Sequence, residues 1–235
     1  MPSTFSTELL GARVPVIAEI KRRDADGREL LGRRSLAAIV SDYESAGAPC
    51  LSVVTGRWFG GSDELLRDVA RLTDLPILKK DFIANERQIV QAKRLGASAV
   101  LLTAGILSAS ALARLIGIAL RHDLTPFVEA ANEHELTAVV DAHECIVAIN
   151  NKDIRRRERD DAQLERSLAL IGPALQTGTR CPVSASGIAA PEDVAGLIAA
   201  GYAGVLVGTA LLLSDSVHAW MDDVARRCAT IEATA

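Results

Sequence analysis

Charged residues stand at the ends of short apolar runs, where their types and spacing could carry acid–base chemistry. The segment from Val14 to Lys21 reads VPVIAEIK and ends in an acid and a base two residues apart, Glu19 and Lys21. A short, unbroken apolar run is typical of a strand buried on both faces of a parallel sheet. Because side chains alternate along a strand, Glu19 and Lys21 share one face. Since buried charges are costly unless paired, this pair is predicted to be functional.

The same arrangement recurs at the ends of five later apolar runs, LPILKKDF, LTPFVEA, CIVAINN, CPVSASG and AGVLVGT. The residues that end these runs are Lys80, Glu129, Asn150 with Asn151, Ser186 with Gly187, and Gly208 with Thr209. Six such endings in order predict that the carboxyl ends of parallel strands build one site.

The charged members of this set could supply both a general acid and a general base. Two carboxylates, Glu19 and Glu129, and two ammonium groups, Lys21 and Lys80, would face one cavity and perturb each other's pKa values. An internal ion-pair network that only neutralises buried charge is the alternative. Barrel interiors are filled mostly by branched apolar residues, which favours a functional role. Asn150 and Asn151 are candidates for orienting a substrate hydroxyl or carbonyl.

The two glycine-bearing endings come last, as is typical of a phosphate site in a barrel. Such sites use backbone N–H groups of the loops after strands seven and eight. Gly187 and Gly208 would let the backbone approach an anion closely, and Ser186 and Thr209 could add hydroxyl groups. The alternative is that both segments are ordinary strand-to-helix turns.

Composition excludes several classes of protein. The chain has 235 residues, is 49% hydrophobic and carries a formal net charge of −4, which argues against a general nucleic-acid binder. The longest apolar runs are too short to span a bilayer, and the start resembles no signal peptide, so we expect a cytoplasmic protein. The basic cluster at 155–159 is interpreted as a solvated loop, and the four scattered cysteines as small buried hydrophobes rather than a metal site. The four histidines fall away from the strand ends, so we expect them at the surface.

Strand and helix signals alternate along the whole chain and predict eight strands and eight helices. Ser62 is the predicted N-cap of a helix whose apolar face includes Leu65, Leu66, Val69 and Leu72; Gly96 is a predicted helix end and Pro191 a predicted first turn. Helices are also predicted over 132–142 and 162–172. The count and the length favour a single (β/α)8 barrel domain over residues 1–235. An open doubly wound sheet would show an early glycine-rich nucleotide motif, which the chain lacks.

Eight segments are similar, in order and spacing, to segments of the indole-3-glycerol phosphate synthase family. They read VIAEIKR, LSVVT, LPILKKDFI, QIVQAKRLGASAVLL, VEAANEHEL, AINNKD, SASGIAAPEDV and AGVLVGTALL. The most specific are EIKR, KDFI, the VE ending and INNKD. The similarity extends from about Val14 to the last predicted helix, so the chain resembles a divergent, N-terminally short member of this family.

The resemblance implies a carboxy-lyase of tryptophan biosynthesis that needs no cofactor. The family closes the indole ring of 1-(2-carboxyphenylamino)-1-deoxyribulose 5-phosphate with loss of carbon dioxide and water. By motif, Lys80 resembles the general acid that protonates the substrate carbonyl, and Glu129 the general base. Glu19 and Asn150 resemble the pair that assists dehydration, and Lys21 the second active-site lysine.

The resemblance also implies the substrate-binding residues. Phe82 resembles an apolar wall, and the phosphate cradle matches Ser186, Gly187, Gly208 and Thr209. No metal, nucleic acid or membrane is implied. The expected partner is a phosphorylated small molecule, bound by a monomer or homodimer.

Three positions depart from the family pattern. The first loop, usually KRxSPSKG, reads KRRDADGR here and places Asp24 at the serine, where it would repel a substrate carboxylate. Lys152 stands for an arginine and keeps a positive charge without the bidentate fork. Ala185 replaces a glutamate. The family's helical extension over the site is also shortened, with only about a dozen residues before the first strand.

Four hypotheses remain open on the sequence alone. The leading one is an enzyme with the family's ring-closing activity. The departures suggest a second, a paralogue from a specialised pathway that acts on a modified arylamino sugar phosphate. A third is a non-catalytic barrel that binds a sugar phosphate or docks a partner enzyme, although retention of Lys80 and Glu129 argues against it. A fourth is a phosphoribosylanthranilate isomerase, which the EIKR and KDFI motifs fit badly.

Overall fold

Eight parallel strands close into a barrel in which each strand pairs with the next and the last pairs with the first. The structure, a computed structural model, describes residues 4–152 and 163–232. The strands are β1 (Val16–Ile20), β2 (Cys50–Val54), β3 (Ile77–Lys80), β4 (Ala99–Thr103), β5 (Thr125–Ala130), β6 (Ile146–Asn150), β7 (Cys181–Ala185) and β8 (Gly204–Val207). This closed order confirms the predicted (β/α)8 barrel.

The helices precede, separate and follow the strands. They are α1 (Thr4–Leu10), α2 (Leu36–Ser45), α3 (Asp63–Ala70), α4 (Glu86–Arg94), α5 (Ala109–Arg121), α6 (Glu133–Leu136), α7 (Leu164–Gln176), α8 (Pro191–Ala199), α9 (Thr209–Leu213) and α10 (Val217–Glu232). The described part of the chain contains no helix long and apolar enough to cross a membrane.

Several predicted helix boundaries are confirmed by their capping geometry. The Ser62 hydroxyl accepts a hydrogen bond of 3.3 Å from the Leu65 N–H, Gly96 has a φ of +96° after α4, and Pro191 begins α8. Leu72 was expected on the buried face of α3, and this prediction is wrong. The helix ends at Ala70, so Leu72 lies beyond the apolar stripe and is 41% exposed.

Three other predictions of helical structure need correction. α6 has only four residues, because the β-branched residues that follow it disfavour a helix and Asp141 takes a left-handed φ of 49°. α7 continues beyond the predicted end through Pro173, where buried Ala174 extends its apolar face. The chain has additional helices at its start, α1, and directly after β8, α9, so the elements do not alternate strictly. The basic cluster at 155–159 lies outside the described residues.

Two apolar clusters divide the core. The larger one lies between the sheet and the helices, and the smaller one fills the barrel. The residues of the smaller cluster include Ile17, Leu78, Leu101, Phe127 and Val183 from the inward faces of the strands, together with Phe5 and Leu9 from α1. Cys50 and Cys181 belong to this cluster, and all four cysteines are buried, as predicted.

α1 closes the amino-terminal end of the barrel. The thiol of Cys50, which begins β2, donates a hydrogen bond of 3.5 Å to the Phe5 carbonyl. Gly204, which begins β8, has no room for a side chain, because a Cβ there would meet a Leu9 methyl carbon at 2.9 Å. The helix is therefore packed against the strand starts, at the end of the barrel opposite the strand endings that carry the candidate site.

Candidate active site

Glu19 joins two lysines in the carboxyl-terminal mouth of the barrel. Its Oε2 lies 3.1 Å from Nζ of Lys80, at the end of β3, and its Oε1 lies 3.3 Å from Nζ of Lys21. Glu19 is 2% exposed, and burial by itself raises the pKa of its carboxyl group. The two ammonium groups outweigh burial and hold the Glu19 pKa below its usual value. Glu19 is therefore an ionised carboxylate between two cations.

Glu129 and Asn150 form a second buried pair. The Asn150 amide donates a hydrogen bond of 2.9 Å from Nδ2 to Oε1 of Glu129. The amide oxygen of Asn150 in turn accepts a bond of 2.9 Å from the Lys152 N–H, and the Arg166 guanidinium donates to the Asn150 carbonyl. These contacts fix the amide, and through it one oxygen of the Glu129 carboxylate.

The strand register places the charged side chains in one layer of the barrel. Strands of an eight-stranded barrel are staggered by about one residue each. When the strand pairings are combined with this stagger, each layer takes its residues from alternate strands. One layer, from the odd-numbered strands, consists of Glu19, Lys80, Glu129 and Ala185. The next layer toward the mouth, from the even strands, consists of Val54, Thr103, Asn150 and Gly208. Three of the four charged site residues, Glu19, Lys80 and Glu129, thus share one barrel layer, with Ala185 as its only uncharged member.

The loop after β7 presents backbone in a conformation that ordinary side chains rarely adopt. Ser186 and Gly187 have φ values of 69° and 75°, and only glycine takes such values readily. The Asn151 amide stabilises this turn by donating to the carbonyl groups of Ala185 and Ser186, each at 3.1 Å. Its amide oxygen accepts from Ser167. Asn151 therefore supports the loop, which corrects the expectation that it orients a substrate.

Gly208 and Thr209 bring the end of β8 against the charged layer. A Cβ at Gly208 would lie 2.5 Å from Oε1 of Glu19, so no other residue fits there without moving that carboxylate. Thr209 begins α9 directly afterwards. The N–H groups of Ala189 and Ala190, just before α8, are already used, because the Asp193 carboxylate accepts hydrogen bonds from them at 3.0 and 2.9 Å. The two glycine turns therefore remain the candidate backbone for binding an anion.

One cavity of about 500 Å³ joins the charged layer to both glycine turns. Nine predicted site residues line it: Glu19, Lys21, Asp24, Lys80, Lys152, Ser186, Gly187, Gly208 and Thr209. Glu129, Asn150 and Phe82 do not belong to this lining. Phe82 follows β3 and is 42% exposed, so it stands at the rim of the mouth.

Asp24 lines the cavity with its carboxylate partly committed to its own loop. Oδ1 accepts hydrogen bonds from the N–H groups of Asp26 and Arg28, at 3.0 and 2.9 Å. The same loop is tied down by a β-bridge between Arg23 and Glu29. The charge of Asp24 is therefore held in place and partly balanced by backbone dipoles, on the wall of a cavity that Lys152 also lines.

Sequence reasoning missed the apolar part of the cavity wall. Ile188, Leu206 and Leu213 line it beside the glycine turns. Leu206 could have been found, because it lies two residues before Gly208 on the same strand face. Ile188 and Leu213 belong to loop and helix positions that carry no periodic signal. This part of the wall is thus suited to an apolar portion of a ligand.

The fold and the site define a class of protein: a (β/α)8 barrel that carries paired ionisable side chains beside two glycine turns at the carboxyl ends of its strands, as is typical of barrel enzymes. No cluster of three or more metal-ligating side chains occurs within residues 4–152 and 163–232. The family model "Indole-3-glycerol phosphate synthase" matches residues 3–224, and the chain belongs to that family.

Individual relatives agree with this assignment. The chain is 37% identical over 201 residues to an indole-3-glycerol phosphate synthase of Carboxydothermus hydrogenoformans, covering 85% of this chain and 75% of the relative. It is 33% identical over 224 residues to that of Methanothermobacter marburgensis, covering 95% and 78%. A relative from Rhodopirellula baltica is 37% identical over 201 residues, covering 85% and 76%. Of the four hypotheses, the family assignment supports the first.

Proposed function

We propose that this protein converts 1-(2-carboxyphenylamino)-1-deoxyribulose 5-phosphate into indole-3-glycerol phosphate, with loss of carbon dioxide and water. The observation that carries the proposal is the placement of Glu19, with its two lysines, in one cavity with the glycine turns after β7 and β8. The family to which the chain belongs supports the same chemistry. We further propose that the chain acts as one domain, in the cytoplasm, as a monomer or homodimer.

The substrate phosphate is assigned to the turns at Ser186–Gly187 and Gly208–Thr209. Backbone N–H groups there can approach phosphate oxygens closely, and the two hydroxyls add donors. Lys152 and Lys21 add positive charge on the cavity wall for the anionic groups of the substrate. The apolar side chains of the wall and Phe82 at the rim are available to the aryl ring.

Ring closure is assigned to Lys80. The aryl carbon that bears the carboxylate forms a bond to the ketone carbon, and the electron pair of the carbonyl bond moves to oxygen. The Lys80 ammonium, 3.1 Å from Glu19, donates a proton to that oxygen. The carboxylate then leaves as carbon dioxide, and its bonding pair returns to the ring. Glu19 keeps the local charge balanced, because it stays ionised between the two lysines.

Dehydration is assigned to Glu129 and to the groups beside it. The new hydroxyl leaves as water with a proton from the lysine pair that Glu19 holds. Glu129 removes a proton from the adjacent methylene carbon, and the double bond of the indole ring forms. The Asn150 amide, 2.9 Å from Glu129, holds the base in place and can contact the departing hydroxyl. The sequence of steps consumes one proton overall, because the carboxylate departs as neutral carbon dioxide.

Fluorescence detection of indole-3-glycerol phosphate during incubation with the substrate tests this proposal. Lys80→Met is compared with Lys79→Met, since these neighbouring lysines lie on opposite faces of β3. Lys79 is buried on the outer face, where it forms an ion pair with Asp63 at the start of α3. We expect turnover by the wild type and by Lys79→Met, and a loss of about 10²–10⁴-fold in Lys80→Met. A well-folded wild type without turnover, or equal losses in both variants, would contradict the proposal.

A further inference from the structure

Two hydroxyl groups inside the barrel have no hydrogen-bond partner among the residues that the structure describes. They belong to Ser52 on β2, which is 0% exposed, and Thr103 on β4, which is 2% exposed. A buried hydroxyl without a partner destabilises the folded state, because the hydrogen bonds that it makes to water in the unfolded chain are not replaced. Such a group therefore needs an explanation, and a ligand that satisfies it is one.

Thr103 occupies the layer directly above the acid–base layer, on the side of the mouth. β4 lies between β3, which ends in Lys80, and β5, which carries Glu129. The Cα atoms of Thr103 and Glu129 are register partners across this pair of strands. Ala99 and Leu101 on the same strand face belong to the barrel-filling cluster, so Thr103 also faces inward. Its side chain consequently lies on the inner face of the strand that separates the proposed acid from the proposed base.

Ser52 has the same chemistry in a deeper layer. The register pairs it with Glu19 on one side and with Leu78 on the other. With the stagger of the strands, it shares its layer with Leu101 and Leu206 and lies on the closed side of the charged layer. A ligand entering from the mouth reaches Thr103 before the charged side chains and reaches Ser52 only after passing them. The two hydroxyls thus form a matched pair, equally buried but differently placed.

We propose that Thr103 is a further substrate-binding residue, whose hydroxyl forms a hydrogen bond with the substrate oxygen that reacts between Lys80 and Glu129. This inference rests on the proposed function, since that oxygen is the ketone oxygen protonated by Lys80. It begins as a carbonyl acceptor and becomes a hydroxyl that leaves as water. A threonine hydroxyl suits both states, because it has one donor and two acceptor positions. The hydrogen bond orients the oxygen toward the ammonium group.

The test uses Thr103→Val, which keeps the shape of the side chain without its hydroxyl, and Thr103→Ser, which keeps the hydroxyl. Ser52→Ala removes the matched hydroxyl from the deeper layer. We expect kcat to fall about tenfold and KM to rise about threefold in Thr103→Val, because the hydrogen bond is made to the substrate carbonyl as well as to the oxygen that it becomes. In Thr103→Ser, kcat should stay within about threefold of wild type. Ser52→Ala is expected to keep the wild-type kcat. Circular dichroism and thermal unfolding report whether each variant is folded.

The outcomes separate this inference from the proposed function. Wild-type kcat in Thr103→Val, or an equal loss in Thr103→Val and Thr103→Ser, overturns the role of the hydroxyl. A loss in Ser52→Ala as large as in Thr103→Val overturns it as well, because burial alone would then explain both. If the wild type gives no product, the proposed function fails, and calorimetric titration with the same substrate decides the inference. Equal affinity of wild type and Thr103→Val, or no binding by either, rejects it.

Discussion

The two ends of the barrel interior use the same strand faces for opposite purposes. At the amino-terminal end, the inward side chains are apolar and pack against Phe5 and Leu9 of α1. At the carboxyl-terminal end, the same inward rows finish in Glu19, Lys80 and Glu129. The closed end gains stability from burial, whereas the mouth holds charges whose desolvation is offset only by pairing. Within a single barrel, stability and chemistry are thus separated along the strand direction.

Among the variants considered, Glu129→Gln at the mouth is expected to have the largest effect on activity. The amide keeps an oxygen that can accept from Asn150, so the fold should be preserved, but it cannot take a proton. We expect kcat to fall by about 10²–10⁴-fold while thermal stability changes little. Steady-state kinetics and a thermal melt measure the two quantities. Glu133→Gln, an exposed glutamate in α6 just after the same strand, is the control and should keep wild-type kcat.

At the closed end, Leu9→Ala should show the reverse pattern. Leu9 is 1% exposed and packs against Gly204, so its truncation leaves a cavity and should lower the free energy of unfolding by about 2–5 kcal/mol. The value of kcat for the folded fraction should not change, because α1 lies at the far end from the site. Leu10, its 50% exposed neighbour, gives the control variant Leu10→Ala, with an expected change within about 0.5 kcal/mol. A large drop in kcat for Leu9→Ala at low denaturant would break the separation of the two ends.

The mouth of the barrel could be predicted from the sequence, whereas the closed end could not. Apolar runs that finish in charged residues identified the strands and the mouth, because burial on both faces leaves a strong local signal. The closing role of α1 could not be predicted, since the packing of Phe5 against β2 is a contact between distant segments. That Thr103 and Asn150 share one layer of the barrel could not be predicted either, because it depends on the register and stagger of the strands. The role of Asn151 was predicted wrongly because two adjacent asparagines at a strand end look alike in sequence, although their side chains point in different directions.

Gly208→Ala should lower activity as well, but less than Glu129→Gln does. The added methyl group would meet Oε1 of Glu19 at 2.5 Å, so the carboxylate must move away from its lysines. We expect kcat/KM to fall by about 10–100-fold, the size of effect that a displacement near 1 Å can produce. Gly196→Ala in α8 is the matched control, because nothing lies within 4 Å of its added carbon. Equal activity of both variants would show that Glu19 tolerates displacement and that the mouth is less closely packed than the closed end.

The smallest expected effect is the dependence of stability on pH at the mouth. The Glu19 pKa is lowered in the folded protein because Lys80 and Lys21 outweigh the effect of burial. A carboxyl group with a depressed folded pKa binds protons more tightly in the unfolded chain. It therefore stabilises the fold fully above its ordinary pKa of 4.5, and this contribution is lost as the pH falls through the folded value. The difference in unfolding free energy between wild type and Glu19→Gln should accordingly be largest near neutral pH and shrink steadily below pH 4.5.

Denaturant unfolding at a series of pH values measures this difference, with Asp222→Asn on the exposed face of α10 as the control for general acid effects. A difference that stays constant down to acid pH would mean that the charge on Glu19 does not stabilise the fold, and that the mouth, like the closed end, is held together by packing alone.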